Sequence, residues 1–209
     1  MTAALRIGVV DTGVNAWHSH VRGEVAGCRV HLRPDGTIGE DGDFRDCVGH
    51  GTAVAGVIRE AFPEAGIFAV RVFGAGEATY PSLVARGILR AAAEACSFVN
   101  LSLSVPPGPG EDVVAAACAA AIDAGCVLVA SARPGELGWL PASLPGVYVV
   151  TADDTLAFDE VRMRGPFSLA APGRPRDLGS APREGNFHGH SFACARGLVF
   201  LMRRARATA

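Results

Sequence analysis

The sequence predicts an α/β fold, a mostly parallel sheet in a three-layer arrangement with helices on both faces. Three features predict it: short apolar runs of strand length, amphipathic stretches of helix length between them, and Gly or Pro at the joints. The strand-like runs fall at residues 5–10, 67–72, 98–103, 127–132 and 147–151. Each is mostly apolar, with only isolated polar residues such as Arg71 and Asn100, as expected of a strand buried on both faces. The helical stretches fall at about 51–60, 81–95 and 111–124, with a last one after Ser191. Pro106-Pro107-Gly108-Pro109-Gly110 and Ala171-Pro172-Gly173 mark connections. No repeat or low-complexity tract interrupts the pattern, so residues 1–209 read as a single domain.

The bulk composition agrees. Of 209 residues, 49% are hydrophobic and 19% charged, the balance of a packed globule and not of a disordered chain. The net charge is −2 with no basic block, which argues against nucleic-acid and membrane-surface partners. The first apolar run stops at Asp11, too early for a signal peptide. The longest nearly unbroken apolar run, 113–122, is well short of the roughly 18 residues a spanning helix needs. A cytoplasmic location is therefore expected. Cysteines 28, 47, 96, 118, 126 and 194 show no CxxC spacing and are expected to be buried thiols, not a disulfide framework.

Chemistry in such folds gathers at the carboxyl ends of strands. Asp11 follows Ile7-Gly8-Val9-Val10 and precedes Thr12-Gly13. That places an acid in a tight turn at a strand end, although a turn or cap Asp would look the same. Asp-Thr-Gly is also an aspartic-protease signature, but those enzymes need two such motifs or a dimer of small all-β chains. His50, in Gly49-His50-Gly51-Thr52, opens a helix of small residues, and its flanking glycines leave the imidazole approachable. Ser191, in Gly189-His190-Ser191-Phe192-Ala193, opens an apolar helix. A serine there is either a cap or a nucleophile beside backbone N–H groups that can stabilise an oxyanion.

The order Asp, His, Ser with these flanks resembles the subtilisin-like serine proteases. Residues 7–14 resemble that family's aspartate segment and 49–56 its histidine segment. Residues 67–73 and 99–104 are similar to two core strands, and Leu140-Pro141-Ala142 and Ala171-Pro172-Gly173 to two loops ahead of the serine. The resemblance implies that Ser191 attacks a peptide carbonyl, His50 carries the proton and Asp11 orients the imidazole. Activity should then fall at acidic pH, because only the neutral ring acts as a base. No cofactor and no metal are implied. The partner is a peptide or protein substrate, one dedicated precursor being the expected case.

Departures from the family set further expectations. Its oxyanion-hole Asn follows a strand ending in Ala-Gly-Asn, whereas this strand reads Val129-Ala130-Ser131-Ala132-Arg133-Pro134. Proline has no N–H, so Arg133 is the candidate stand-in donor; another donor, or a half-built hole, is the alternative. Ser102, Leu103, Ser104 and Val105 stand where the family pairs with an extended peptide, and bulk at Ser104 and Val105 should narrow the adjoining pocket. No pro-segment is seen ahead of Asp11, and 18 residues follow Ser191. Together these features suggest a narrow endopeptidase that clips a leader or propeptide. A peptidyl transferase or macrocyclase is the alternative within enzymes, and a peptide-binding pseudoprotease the alternative outside them. Asp41, Asp43 and Asp46 read as a solvated acidic turn rather than a calcium loop. His188 and His190 could hold a zinc with His50, but a metal would immobilise the base, so His190 reads instead as a shaping residue in place of the family's Thr.

Overall fold

All five apolar runs become strands of one sheet. The computed structural model describes residues 5–74, 78–136, 138–177 and 186–208. In chain order the elements are β1 (Arg6–Asp11), β2 (Val25–Leu32), β3 (Ile38–Asp41), α1 (His50–Ala61), β4 (Gly66–Arg71), α2 (Pro81–Ala93) and β5 (Phe98–Leu101). They continue with α3 (Glu111–Asp123), β6 (Val127–Ser131), β7 (Tyr148–Ala152), β8 (Arg162–Gly165), β9 (Ser168–Ala171) and α4 (His190–Ala207). The sheet order is β3-β2-β4-β1-β5-β6-β7-β9-β8. The inner strands, β2 through β9 in that order, are parallel, and only the edge strands β3 and β8 run antiparallel to their neighbours.

The strand period of two divides the core into two layers. On β1, Val10 joins a cluster containing Val70, Leu101 and Leu128, covered by Leu83 and Ile88 of α2 and Val114 and Cys118 of α3. Ile7 and Val9 face the other way, into a cluster covered by Val54 and Ile58 of α1 and Phe192, Leu198 and Met202 of α4. The helices also carry their own end signals. Pro81 sits at the start of α2, acidic Glu111 and Asp112 lie in the first turn of α3, and Arg204 and Arg206 lie in the last turn of α4. Gly197 lets α4 lie close on the sheet, since a Cβ there would fall 2.6 Å from Val150 Cγ2.

Four strands escape the sequence pattern: β2, β3, β8 and β9. In β2, Arg29 and His31 interrupt the apolar residues; β3 and β8 are short, polar edges, and β9 is four residues long. A central strand announces itself by unbroken apolar character, which edge strands half open to water do not need. Among the described residues no helix is long and apolar enough to cross a membrane.

The layered core makes one quantitative expectation. Leu198 is fully buried under α4, so Leu198→Ala should cost about 2–5 kcal/mol in a urea unfolding titration. A loss below about 1 kcal/mol would contradict the close packing of this layer.

Candidate active site

The carboxyl end of β1 and the amino ends of α1 and α4 converge on one cleft. Asp11, last residue of β1, is 1% exposed, and its Oδ1 accepts the Thr12 N–H (2.7 Å) and faces His50 Nδ1 (2.7 Å). Its Oδ2 is buried with no hydrogen-bond partner among the described residues. An ionised carboxylate only accepts, so His50 Nδ1 carries the proton and Nε2 is left with its lone pair, as a base requires. Gly51 makes the approach possible. A Cβ there would sit 2.2 Å from the Gly13 carbonyl oxygen and 3.1 Å from Asp11 Oδ1.

The acidic turn is not simply solvated. Asp41 pairs with Arg29 and Asp43 with Arg45 near the surface, but Asp46 is buried. Its Oδ1 accepts from Thr12 Oγ1 (2.9 Å) and the N–H groups of Val48 (2.9 Å) and Gly49 (2.8 Å). Its Oδ2 accepts from the N–H (2.8 Å) and hydroxyl (2.6 Å) of Thr52. Asn15 ties in through both amide atoms to the Asp46 backbone (3.1 Å each). This carboxylate therefore clamps the Asp11 turn to the start of α1. Burial works against its charge, but the bonds from Thr52, Gly49 and Val48 outweigh that and hold its carboxyl below the ordinary value. Among the described residues, no three His, Cys, Asp or Glu side chains gather as a metal site would require.

Ser191, second residue of α4, is held by Ser102. The Ser102 hydroxyl donates to the Ser191 carbonyl (3.0 Å), and Ser191 Oγ donates to the Ser102 carbonyl (3.3 Å). Asn100 of β5, wholly buried, donates to Ser102 Oγ (2.7 Å). Neither role was singled out from the sequence; the one available signal was a polar Asn within an apolar strand run. A cleft of about 390 Å³ is lined by His50, Ser102, Ser104, Ser131, Arg133 and Ser191, with His188 and His190 on its wall. Phe192 packs beneath the His50 ring at 5.4 Å between centroids, and Phe187 lies edge-on to it at 6.5 Å.

Leu103 and Ser104 line the cleft, but Val105 does not: its N–H and C=O are both bonded to Leu140 (2.9 Å each), so no peptide can pair with it. Arg133 lines the cleft with its side chain 70% exposed and its guanidinium 3.7 Å from Glu136, so acting as a stand-in donor requires it to turn inward. His188 pairs with Asp154, which also accepts the Gly173 N–H (2.9 Å). His190 Nδ1 accepts the Ala152 N–H (2.9 Å). Five cysteines are buried as expected, and Cys47 is exposed instead. Burial pushes the Cys194 thiol, three residues on from Ser191, up to about 12.

An acid–imidazole pair and a serine at a helix start, set at the ends of parallel strands, define a serine hydrolase arrangement of the subtilisin type. The subtilase family model matches residues 2–152, which contain Asp11 and His50 but end before Ser191. The chain belongs to the subtilase family and is a subtilisin-like serine protease. Among solved structures it is similar to a cold-adapted subtilisin-like serine proteinase (TM-score 0.70, 24% identity, 96% of this chain and 76% of that one). It is also similar to the epidermin leader peptide processing serine protease of Staphylococcus aureus (TM-score 0.73, 20% identity, 95% of this chain). This chain spans 64% of that protein's length. No curated protein sequence matches it.

The Asp46 clamp carries a testable consequence. Asp46→Ala strands five buried or half-buried donors and should destabilise by at least about 2 kcal/mol in chemical denaturation. Because the folded carboxyl titrates below 3.8, its contribution is complete above that pH and is lost as pH falls through the lower folded value. Asp46→Asn should therefore show a shallower loss of stability between neutral pH and pH 3 than the unaltered chain. An identical acid profile would show that the carboxylate clamps nothing.

Proposed function

We propose that this protein is a serine endopeptidase of narrow specificity that removes a leader or propeptide from a peptide or small protein precursor in the cytoplasm. Asp11, His50 and Ser191 are its catalytic residues. The observation that carries the reading is the 2.7 Å contact of His50 Nδ1 with a buried carboxylate, opening on a cleft that also holds Ser191. In the reaction, Ser191 Oγ leaves the Ser102 carbonyl, passes its proton to His50 Nε2 and bonds to the scissile carbonyl carbon. The carbonyl π electrons move onto oxygen. On collapse the C–N bond breaks and His50 delivers its proton to the leaving amine; a water then repeats the sequence to free the acyl group. Asp11 keeps its charge throughout and stabilises the imidazolium.

Removal of a leader is supported by the likeness to a leader peptide processing protease and by a cleft in which Val105 is withdrawn from substrate pairing. Backbone pairing is left to Ser102, Leu103 and Ser104, a short contact that favours a particular extended segment over unfolded chains at large. Compact subtilases resembling this one include maturation proteases of modified peptides, and the small subunit of quinohemoprotein amine dehydrogenase is a candidate precursor. The thiols, with five of six buried and none bridged, are compatible with a reducing compartment.

A fluorophosphonate probe should label the unaltered chain and fail to label Ser191→Ala. Incubation with a leader-bearing precursor should yield two fragments whose masses sum to that of the precursor plus one water. A product lacking that water would replace hydrolysis with peptidyl transfer. Absence of Ser191-dependent labelling would reduce the protein to a peptide binder.

A further inference from the structure

An oxyanion needs two donors aimed at one point, and this chain lacks the family's Asn at the end of β6. One donor is at hand: Ser191 lies in the first turn of α4, where backbone N–H groups have no partner within the helix. The question is which side chain supplies the other. Arg133 is largely solvated and sits by Glu136. Pro134 has no N–H. The residue immediately before the nucleophile is better prepared.

His190 is the first residue of α4, half-buried, and forms part of the wall of the cleft that holds Ser191 and His50. The Ala152 N–H, which can only donate, points at its Nδ1 from 2.9 Å. Nδ1 must therefore be the unprotonated nitrogen, and the proton of the neutral ring is on Nε2. Nε2–H has no hydrogen-bond partner among the described residues. Burial, then the charges of Arg133 and His188, favour the neutral ring, with Glu136 and Asp154 opposing more weakly. Gaining a proton at Nδ1 would also break the bond from Ala152. The ring is thus fixed in one tautomer and one orientation, with a single spare donor beside the nucleophile.

We propose that His190 Nε2–H donates the side-chain hydrogen bond to the oxyanion formed when Ser191 attacks, in place of the missing Asn. His190 keeps its proton throughout; proton transfer belongs to His50 alone. Arg133 then acts on the ring's charge from a distance rather than on the oxyanion. This inference rests on the proposed protease chemistry, and its test separates the two.

Two substitutions distinguish a donor from a structural strut. His190→Asn keeps an acceptor near the Nδ1 position for the Ala152 N–H but has nothing at the Nε2 position. His190→Gln can place an amide N–H at the Nε2 position. Acylation by p-nitrophenyl butyrate would be followed in the unaltered chain, His190→Asn, His190→Gln, Arg133→Ala and Ser191→Ala, with thermal unfolding of each. The expected result is a 10²–10³-fold slower acylation in His190→Asn at unchanged melting temperature, as for loss of one oxyanion donor. Gln should recover to within about tenfold, and Arg133→Ala should stay within about threefold of the unaltered rate. Acylation that is rescued by Asn but not Gln, or lost chiefly in Arg133→Ala, would overturn the proposal while leaving the protease reading intact. Acylation equally fast in Ser191→Ala would instead overturn the protease reading, and this inference with it.

Discussion

The Asp11–His50 contact is the constraint on which the rest of the site depends. It joins residues 39 apart in sequence, one fixed by the sheet and the other by the first turn of a helix. Neither alone has a defined direction toward the other. The carboxylate is buried with one oxygen unpartnered, a costly arrangement in isolation. It is tolerable because the imidazole supplies a directed N–H and, once protonated, a countercharge. The same cost makes the base ready: a carboxylate short of partners favours the imidazolium that forms during attack.

What holds the two residues together is a second carboxylate that does no chemistry. Asp46 gathers Thr12 beside Asp11, Gly49 beside His50, and Thr52 a half-turn into α1. The dipole of α1 adds to this, since an anion at a helix start is favourably placed. On the other side of the cleft, Asn100 and Ser102 do similar work for Ser191 from the end of β5. The site is thus built by neighbouring strands β1 and β5 and by two helices lying on the same face of the sheet. That geometry explains how a buried Asp near one end of the chain holds His50 in the same cleft as a Ser near the other.

The sequence reveals the proposed reacting groups more readily than their supports, and the reason is physical. Asp11, His50 and Ser191 each stand at a junction of apolar run and glycine, a local pattern that survives in one dimension. Asp46 lies among other acids in a polar segment, and nothing local separates it from Asp41 and Asp43; only its contacts with Thr12 and Thr52 do. Val105 continues the strand-like sequence yet turns away to bond with Leu140, a partner far along the chain. Polar edges such as β3 and β8 lack the apolar continuity that marks β1 and β6. Arg133 could be named from the missing Asn, whereas the tautomer of His190 depends on an amide of β7 that no sequence window contains.

The most direct measurement of the central claim is the rate at which Ser191 is acylated in Asp11→Asn. The amide is nearly isosteric with the carboxylate but can present an N–H to His50 Nδ1, leaving the lone pair on the wrong nitrogen. The account predicts a fall of about 10⁴-fold near neutral pH with the fold retained. A variant that acylates within a few-fold of the unaltered chain would show that the buried carboxylate does not govern the base.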